Sequence, residues 1–195
     1  MRIIAGDWKG RNLKTVKGML TRPTSDKVKG AIFNILRDKV SEARVLDLFA
    51  GTGNLAWEAL SRGAAYADLV DKGSDAVKTI KENSKMLGAN LKVNIWQSDA
   101  KDYIKRVTGK RYDLIFADPP YRQGLAEDIL TSLCQMDLLE PNGVIVIETS
   151  AQESITDDIY PLEIRLTKEY GDTKVWFIQK RENDEEGNLF GKSLD

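Results

Sequence analysis

Residues 45–53 read Val45-Leu46-Asp47-Leu48-Phe49-Ala50-Gly51-Thr52-Gly53, a short apolar run followed by a glycine-rich turn. A run this short, bounded by turn residues, predicts a buried strand. Glycines placed straight after it make the tight turn into a helix and let the backbone approach a ligand closely. Helical spacing then continues to about Ser61.

The same alternation extends in both directions. Downstream, Ala67–Val70 predicts a second strand ending at Asp71, and Ser74 is placed to cap a helix carrying Val77, Ile80 and Leu87. Val93–Trp96 predicts a third strand, Tyr103–Val107 lies in the next helix, and Tyr112–Ala117 predicts a fourth strand. A helix with Leu125, Ile129, Leu133 and Met136 leads to a Pro141-Asn142-Gly143 turn and a fifth strand, Val144–Glu148. Glu163–Thr167 and Lys174–Gln179 follow with no crossover helix between them, so they pair antiparallel. Upstream, Ile3–Ala5 and Asn12–Val16 read as short extended pieces. Thr24 or Ser25 then caps a helix with Val28, Ala31, Ile32, Ile35 and Leu36 on one face. Apolar strands alternating with helices predict an α/β, doubly wound, mostly parallel sheet. Residues 1–40 form a small N-terminal extension, 41–180 the main domain, and 181–195 a polar tail that lacks periodicity.

Composition narrows the chemistry. With 195 residues the chain is about one domain long. It has no histidine, which excludes Ser-His-Asp and Cys-His mechanisms and any His-ligated metal. Its single cysteine, Cys134, cannot form an internal disulfide or a multi-Cys zinc site, so no metal is expected. The opening MRIIAGDWKGR does not read as a signal peptide. No apolar run nears the roughly 20 residues of a membrane span. A soluble cytoplasmic protein is the expectation.

The near-neutral total of 29 basic and 30 acidic side chains hides an asymmetry. Residues 1–40 carry ten bases, among them Arg2, Lys9, Arg11, Arg22 and Lys27, against three acids, a net +7. Such a segment calls for a polyanionic partner. Trp8 lies among the bases, either stacked on a nucleobase or half-buried in a solvated basic face.

In a doubly wound sheet the ligand lies outside the carboxyl ends of the strands. Four such ends carry carboxylates: Asp47, Asp71, Asp99 and Asp118. Asp71 follows Gly53 by 18 residues, near where an acid holds a ribose diol, though it could equally compensate a helix N-terminus. Asp99 could be a ligand to the cofactor or the cap of the next helix. Asp118-Pro119-Pro120-Tyr121 is the most informative group. Two prolines fix a rigid extended loop and remove two backbone donors. What remains is an acceptor-rich edge beside an aromatic face, suited to a planar base bearing an amino group.

Asp-Pro-Pro-Tyr after the fourth strand and Asp-Leu-Phe-Ala-Gly-Thr-Gly after the first resemble the S-adenosylmethionine-dependent amino-methyltransferases. More narrowly, the chain resembles the bacterial 16S ribosomal RNA (guanine-N2)-methyltransferases, the RsmD-like family, from residue 2 to about 180. The family's R-I-I-x-G-x-W-x-G-R matches Arg2 to Arg11, and its R-P-T-x-D-x-V matches Arg22 to Val28, with Phe33-Asn34 following. Its E-A-L-S-R-G-A matches Glu58 to Ala64. Ala56-Trp57 stand where that family more usually has glycine and an aliphatic residue, and Asp71 where glutamate is more usual.

The resemblance implies a seven-stranded class I methyltransferase sheet with S-adenosylmethionine over Phe49, Ala50, Gly51, Thr52 and Gly53. Asp47 would lie near the methionine ammonium, Asp71 with Lys72 at the ribose, and Asp99 and Ala100 near the adenine. Asp118, Pro119, Pro120 and Tyr121 would hold the target base. Arg2, Trp8, Lys9, Arg11, Arg22 and Lys27 would meet ribosomal RNA or an assembling small subunit. Two rivals share the fold: a DNA adenine- or cytosine-amino methyltransferase, and a ribosome-assembly binding module without catalysis. The first normally needs a target-recognition domain, for which too little sequence follows the sheet. A dehydrogenase would have no role for Asp-Pro-Pro-Tyr.

Overall fold

The computed structural model describes residues 1–16, 25–121 and 123–181. The expectations for Arg22, for Thr24 as a cap and for the tail beyond Arg181 lie outside these residues.

The strand that decides the fold, β1 (Arg44–Leu48), is central because Val45, Leu46 and Leu48 are wholly buried on both faces. Seven strands form one sheet in the order β3-β2-β1-β4-β5-β7-β6. They are β2 (Tyr66–Asp71), β3 (Val93–Gln97), β4 (Tyr112–Ala117), β5 (Leu139–Ser150), β6 (Leu162–Tyr170) and β7 (Thr173–Lys180). Only β7 runs against the rest, wedged between β5 and β6 and antiparallel to both. The order reverses between β1 and β4, where a ligand crevice is expected. Leu48 stands level with Val70 on one side and Ala117 on the other, so Asp71 and Asp118 leave the sheet at one height.

Alternation divides the sheet into two cores. Val45, Leu69, Leu114 and Phe116 face one side, packed by α1 (Asp26–Leu36), α2 (Asn54–Ser61) and α3 (Ser74–Leu87). Leu46, Leu48, Ile115 and Ile147 face the other, under α4 (Ala100–Arg106) and α5 (Leu125–Met136). Ile3 and Leu13 belong to the first of these cores. Among the described residues no helix is long and apolar enough to cross a membrane.

Three local expectations need correction. Ile3–Ala5 and Asn12–Val16 do not form strands; they meet in one isolated bridge, Arg2 with Asn12. Their backbones are held by main-chain bonds such as Ile3 N–H to Arg11 O and Leu13 N–H to Met1 O, each 3.0 Å, and by side chains of α2 and α3. Ser74 does not cap α3: it is the first residue of the helix, and Gly73, which has no side chain to offer, occupies the cap, its N–H held by the Asp71 carboxylate at 2.8 Å. Pro141-Asn142-Gly143 lies inside β5, where residues 140–143 bulge opposite Asp113 between the Tyr112–Leu139 and Leu114–Val144 pairs. Ser25 caps α1 through its hydroxyl, accepting from the Val28 N–H.

Candidate active site

The turn after β1 is held by its own backbone bonds and by side chains from neighbouring elements. Ala50 N–H donates to Val70 O at 3.0 Å and Gly53 N–H to Ala50 O at 2.6 Å. Phe49 takes a positive φ of 59°, a strained conformation for a non-glycine residue. Strain of this kind concentrates where a ligand is held. Gly53, at φ +79°, has no room for a side chain: a Cβ would stand 2.4 Å from Trp57 Nε1 and 2.8 Å from Leu69. Trp57 is buried beneath the turn and donates Nε1–H to Thr52 O at 2.8 Å. The bulky residue at this unusual position thus props the turn from below. Asn83, wholly buried on α3, adds a second donor to Thr52 O at 3.2 Å.

Asp71 locks the turn to β2. Its carboxylate accepts the Gly51 N–H and the Gly73 N–H, each at 2.8 Å, one on each oxygen. An ionised carboxylate has about four acceptor sites, so both oxygens keep capacity for a diol. Its own backbone carbonyl takes the Ser98 N–H at 3.0 Å, tying the ends of β2 and β3 together. Lys72 next to it is exposed.

Asp47 is buried and accepts the Ala56 N–H at 3.2 Å. Burial, with the charges of Asp118 and Asp71 nearby, pushes its carboxyl up to about 8, against the partial relief of that hydrogen bond. A buried carboxyl crowded by two more carboxylates is a place that favours a cation. The donor set therefore suits a group carrying positive charge and a diol.

Asp99 caps α4, accepting the Lys101 N–H at 2.9 Å, and is otherwise exposed beside buried Ala100. After β4, Asp118 is half-buried, Pro119 buried and Pro120 exposed. Tyr121 is 39% exposed, its hydroxyl 3.4 Å from Thr173 Oγ1 on β7. Partial burial, with Asp118, Glu148 and Glu153 near, pushes that phenol to about 12 and keeps it neutral.

The basic residues of the N-terminal segment are dispersed over the flank of α1–α3. Arg2 Nε pairs with Asp26 at 2.9 Å; Lys9, Arg11 and Lys27 are exposed; Trp8 is half-buried against the first core.

Sequence reasoning missed what fixes this segment. Glu58, wholly buried on α2, accepts the Ile4 N–H at 2.8 Å, the Ala5 N–H at 3.1 Å and Arg62 Nε at 2.8 Å. Lys29, equally buried, lies 3.4 Å from Glu58 and donates to Arg2 O and Asn54 Oδ1. Burial lowers the Lys29 ammonium pKa, opposed by the Glu58 charge. A signal was present: Lys29 falls between the core residues Val28 and Ile32 on α1, a face where a lysine needs a buried partner.

A family model described as Conserved hypothetical protein 95 matches residues 1–179. The chain belongs to this family. Bacillus subtilis YlbH is 40% identical over 185 residues, 93% of this chain and all of that protein. Ribosomal RNA small subunit methyltransferase D of Haemophilus influenzae is 33% identical over 157 residues, 80% of this chain and 81% of the relative. The solved structure of the Escherichia coli methyltransferase yhhF superposes with TM-score 0.81 at 31% identity, over 93% of this chain and 98% of that one. The chain is a methyltransferase of this family, with the class I methyltransferase fold.

Proposed function

We propose that this methyltransferase moves a methyl group from S-adenosylmethionine to the exocyclic N2 of a guanine in 16S ribosomal RNA. The observation that carries the reading is the meeting of Asp47, Asp71 and Asp118 at the carboxyl ends of β1, β2 and β4, next to the Pro119-Pro120-Tyr121 loop. Similarity to the Haemophilus influenzae and Escherichia coli small-subunit rRNA methyltransferases supports the RNA substrate.

The cofactor, when bound, supplies a methyl on a sulfonium whose departure leaves a neutral thioether. The residues fit it. Gly51–Gly53 give the backbone cradle, Asp47 a carboxyl for the methionine ammonium, and Asp71 preset acceptors for the ribose hydroxyls. Lys72 stands beside Asp71 at the ribose, and Asp99 and Ala100 flank the adenine end.

Guanine N2 is a poor nucleophile because its lone pair is shared with the ring. In this reading Asp118 and the Pro119 carbonyl accept its two N–H bonds, favouring a pyramidal nitrogen with the lone pair free. Tyr121, kept neutral, stacks on the base and offsets part of the few kcal/mol needed to swing a base out of folded RNA. Holding both reactants in line contributes up to about 7–11 kcal/mol in well-aligned cases. No general base is required before transfer; the proton leaves from the methylated amino group to solvent.

The test is transfer of tritiated methyl from S-adenosylmethionine to 16S RNA, to small-subunit particles and to duplex DNA, followed by nucleoside analysis. N2-methylguanosine from RNA or particles supports the reading. Label appearing only in DNA adenine or cytosine, or in nothing, refutes it.

A further inference from the structure

The sequence points to RNA-binding residues within 1–40, but the structure extends the basic surface onto another element. Lys78, Lys81 and Lys85 are exposed along α3. Spacings of three and four residues put them in one row on one helix face. The row spans about 10 Å. It lines a groove of about 440 Å³ that also includes Ser74, Glu82 and Gln97.

The N-terminal segment is bonded along the same helix. Lys14 N–H donates to Asn83 Oδ1 at 2.8 Å, and Asn83 Nδ2 donates back to Lys14 O at 3.1 Å. Lys14 Nζ reaches Glu82 at 3.0 Å, and Arg11 Nη1 reaches Met86 O at 3.4 Å. Glu82, the one carboxylate lining the groove among the described residues, is therefore engaged by a cation from outside it. The lysine row stays positive and is continued by Arg11.

We propose that these α3 lysines form a track for the phosphate backbone of the RNA substrate, continuous with the N-terminal segment. This rests on the reading of the protein as an rRNA methyltransferase. Like charges at these helical spacings repel, and Glu82, four residues from Lys78 and three from Lys85, offsets only part of that cost. A row about 10 Å long suits successive phosphates of a chain better than one small anion. Its direction fits as well. Ser74 opens α3, and Gln97 stands level with Asp71 in the sheet, so the groove ends at the edge that holds the candidate cofactor residues.

The experiment compares the wild type with Lys78→Gln/Lys81→Gln/Lys85→Gln for binding of 16S RNA fragments across a potassium chloride series. With three fewer phosphates neutralised, the log–log salt slope should flatten by about two units and low-salt binding should weaken at least tenfold. Affinity for S-adenosylhomocysteine and the melting temperature should stay as in the wild type. An Arg165→Gln/Lys168→Gln variant on β6, at the opposite end of the sheet, should keep the wild-type slope. If the triple variant keeps the wild-type slope, or the β6 variant falls as far, the track is overturned while wild-type methyl transfer to RNA still stands. If the wild type itself transfers no methyl to RNA, the underlying reading fails instead.

Discussion

The acidic strand ends and the basic flank are built by different means. Asp47, Asp71 and Asp118 come together because the parallel register of β2, β1 and β4 brings three strand ends to one height. The flank is assembled by single long-range bonds: Ile4 and Ala5 to Glu58, Trp8 N–H to Ser61 Oγ, Lys14 to Asn83. Gly6 shows how close that docking is, since a Cβ there would lie 1.7 Å from Ser61 O. Changing a strand-end carboxylate should therefore alter chemistry and leave the fold in place. Changing a buried anchor of the flank should loosen a whole segment.

The largest expected effect tests the second half of that contrast. Glu58→Gln removes the charge that meets Lys29 and Arg62 and leaves a buried ammonium without its counter-charge. Breaking a buried pair in this way costs about 3–5 kcal/mol. Denaturant unfolding should show a loss of that size, and hydrogen exchange at Ile4 and Ala5 should quicken. Replacing both Lys29 and Glu58 by methionine should recover only the part of the loss that comes from the unpaired ammonium, because the Ile4 and Ala5 N–H groups still lack their acceptor. A Glu58→Gln loss below about 1 kcal/mol would mean the network is not what holds the segment.

Next comes the strand end. Asp118→Ala should lower methyl transfer by about 10²–10³-fold, the usual scale for removing a polar group positioned at the reacting centre. Affinity for S-adenosylhomocysteine should stay within about tenfold, or about 1.4 kcal/mol. A variant keeping a tenth of wild-type turnover would remove Asp118 from the reacting centre.

The contrast also explains what is legible in the sequence. Buried parallel strands announce themselves as apolar runs, so strand ends, and the carboxylates on them, can be placed by residue number. The glycine turn is legible for the same reason, being local. In the sequence Glu58 is only one letter of a matching motif, and Lys29 only one charge of the basic segment. Their meaning depends on a partner 29 residues away and on backbone donors more than 50 residues away, which periodicity does not encode. Pro141–Gly143 reads as a turn between elements because a bulge within a strand carries the same residues. Lys78, Lys81 and Lys85 look like an ordinary exposed helix face until Lys14 and Arg11 are seen lying along it.

Asp71 joins both kinds of role, since it holds the turn and faces the crevice. Asp71→Ala deletes the acceptor for the Gly51 and Gly73 N–H groups and would also delete the two charge-assisted bonds to a ribose diol in the proposed function, at roughly 1.5–3 kcal/mol each. Calorimetry should show at least a hundredfold loss of cofactor affinity, with the melting transition still cooperative. Unchanged affinity would refute the ribose assignment.

Asp47 gives a smaller, pH-dependent effect. Its folded pKa of about 8 lies above the ordinary carboxylate value. Between about pH 4 and pH 8 the unfolded chain gives up a proton that the folded chain keeps, so stability without cofactor falls as pH rises through that window. A cation beside Asp47 favours the carboxylate and releases the proton. Cofactor affinity should then climb by up to about tenfold per pH unit below about 8 and level off above it. Asp47→Asn should flatten that dependence and raise stability at neutral pH; a pH-independent wild type would separate Asp47 from the cation.

The smallest expected effect returns to the flank and asks whether its charges, rather than its anchors, meet RNA. Lys9 and Arg11 are exposed, and neither takes part in the Glu58 and Lys29 network that docks the segment. Lys9→Ala/Arg11→Ala should therefore leave the unfolding free energy within about 0.5 kcal/mol of the wild type. Each phosphate of single-stranded RNA that a base no longer neutralises lowers the salt slope by about 0.7. Two should flatten the log–log plot by more than one unit and weaken RNA binding at low salt. Cofactor affinity should not move, because the pocket residues lie between Asp47 and Tyr121. Normal RNA binding at every salt concentration would make this stretch a structural face. The strand-end chemistry would survive that result, and the α3 lysines would have to grip the RNA without the neighbours that continue their row.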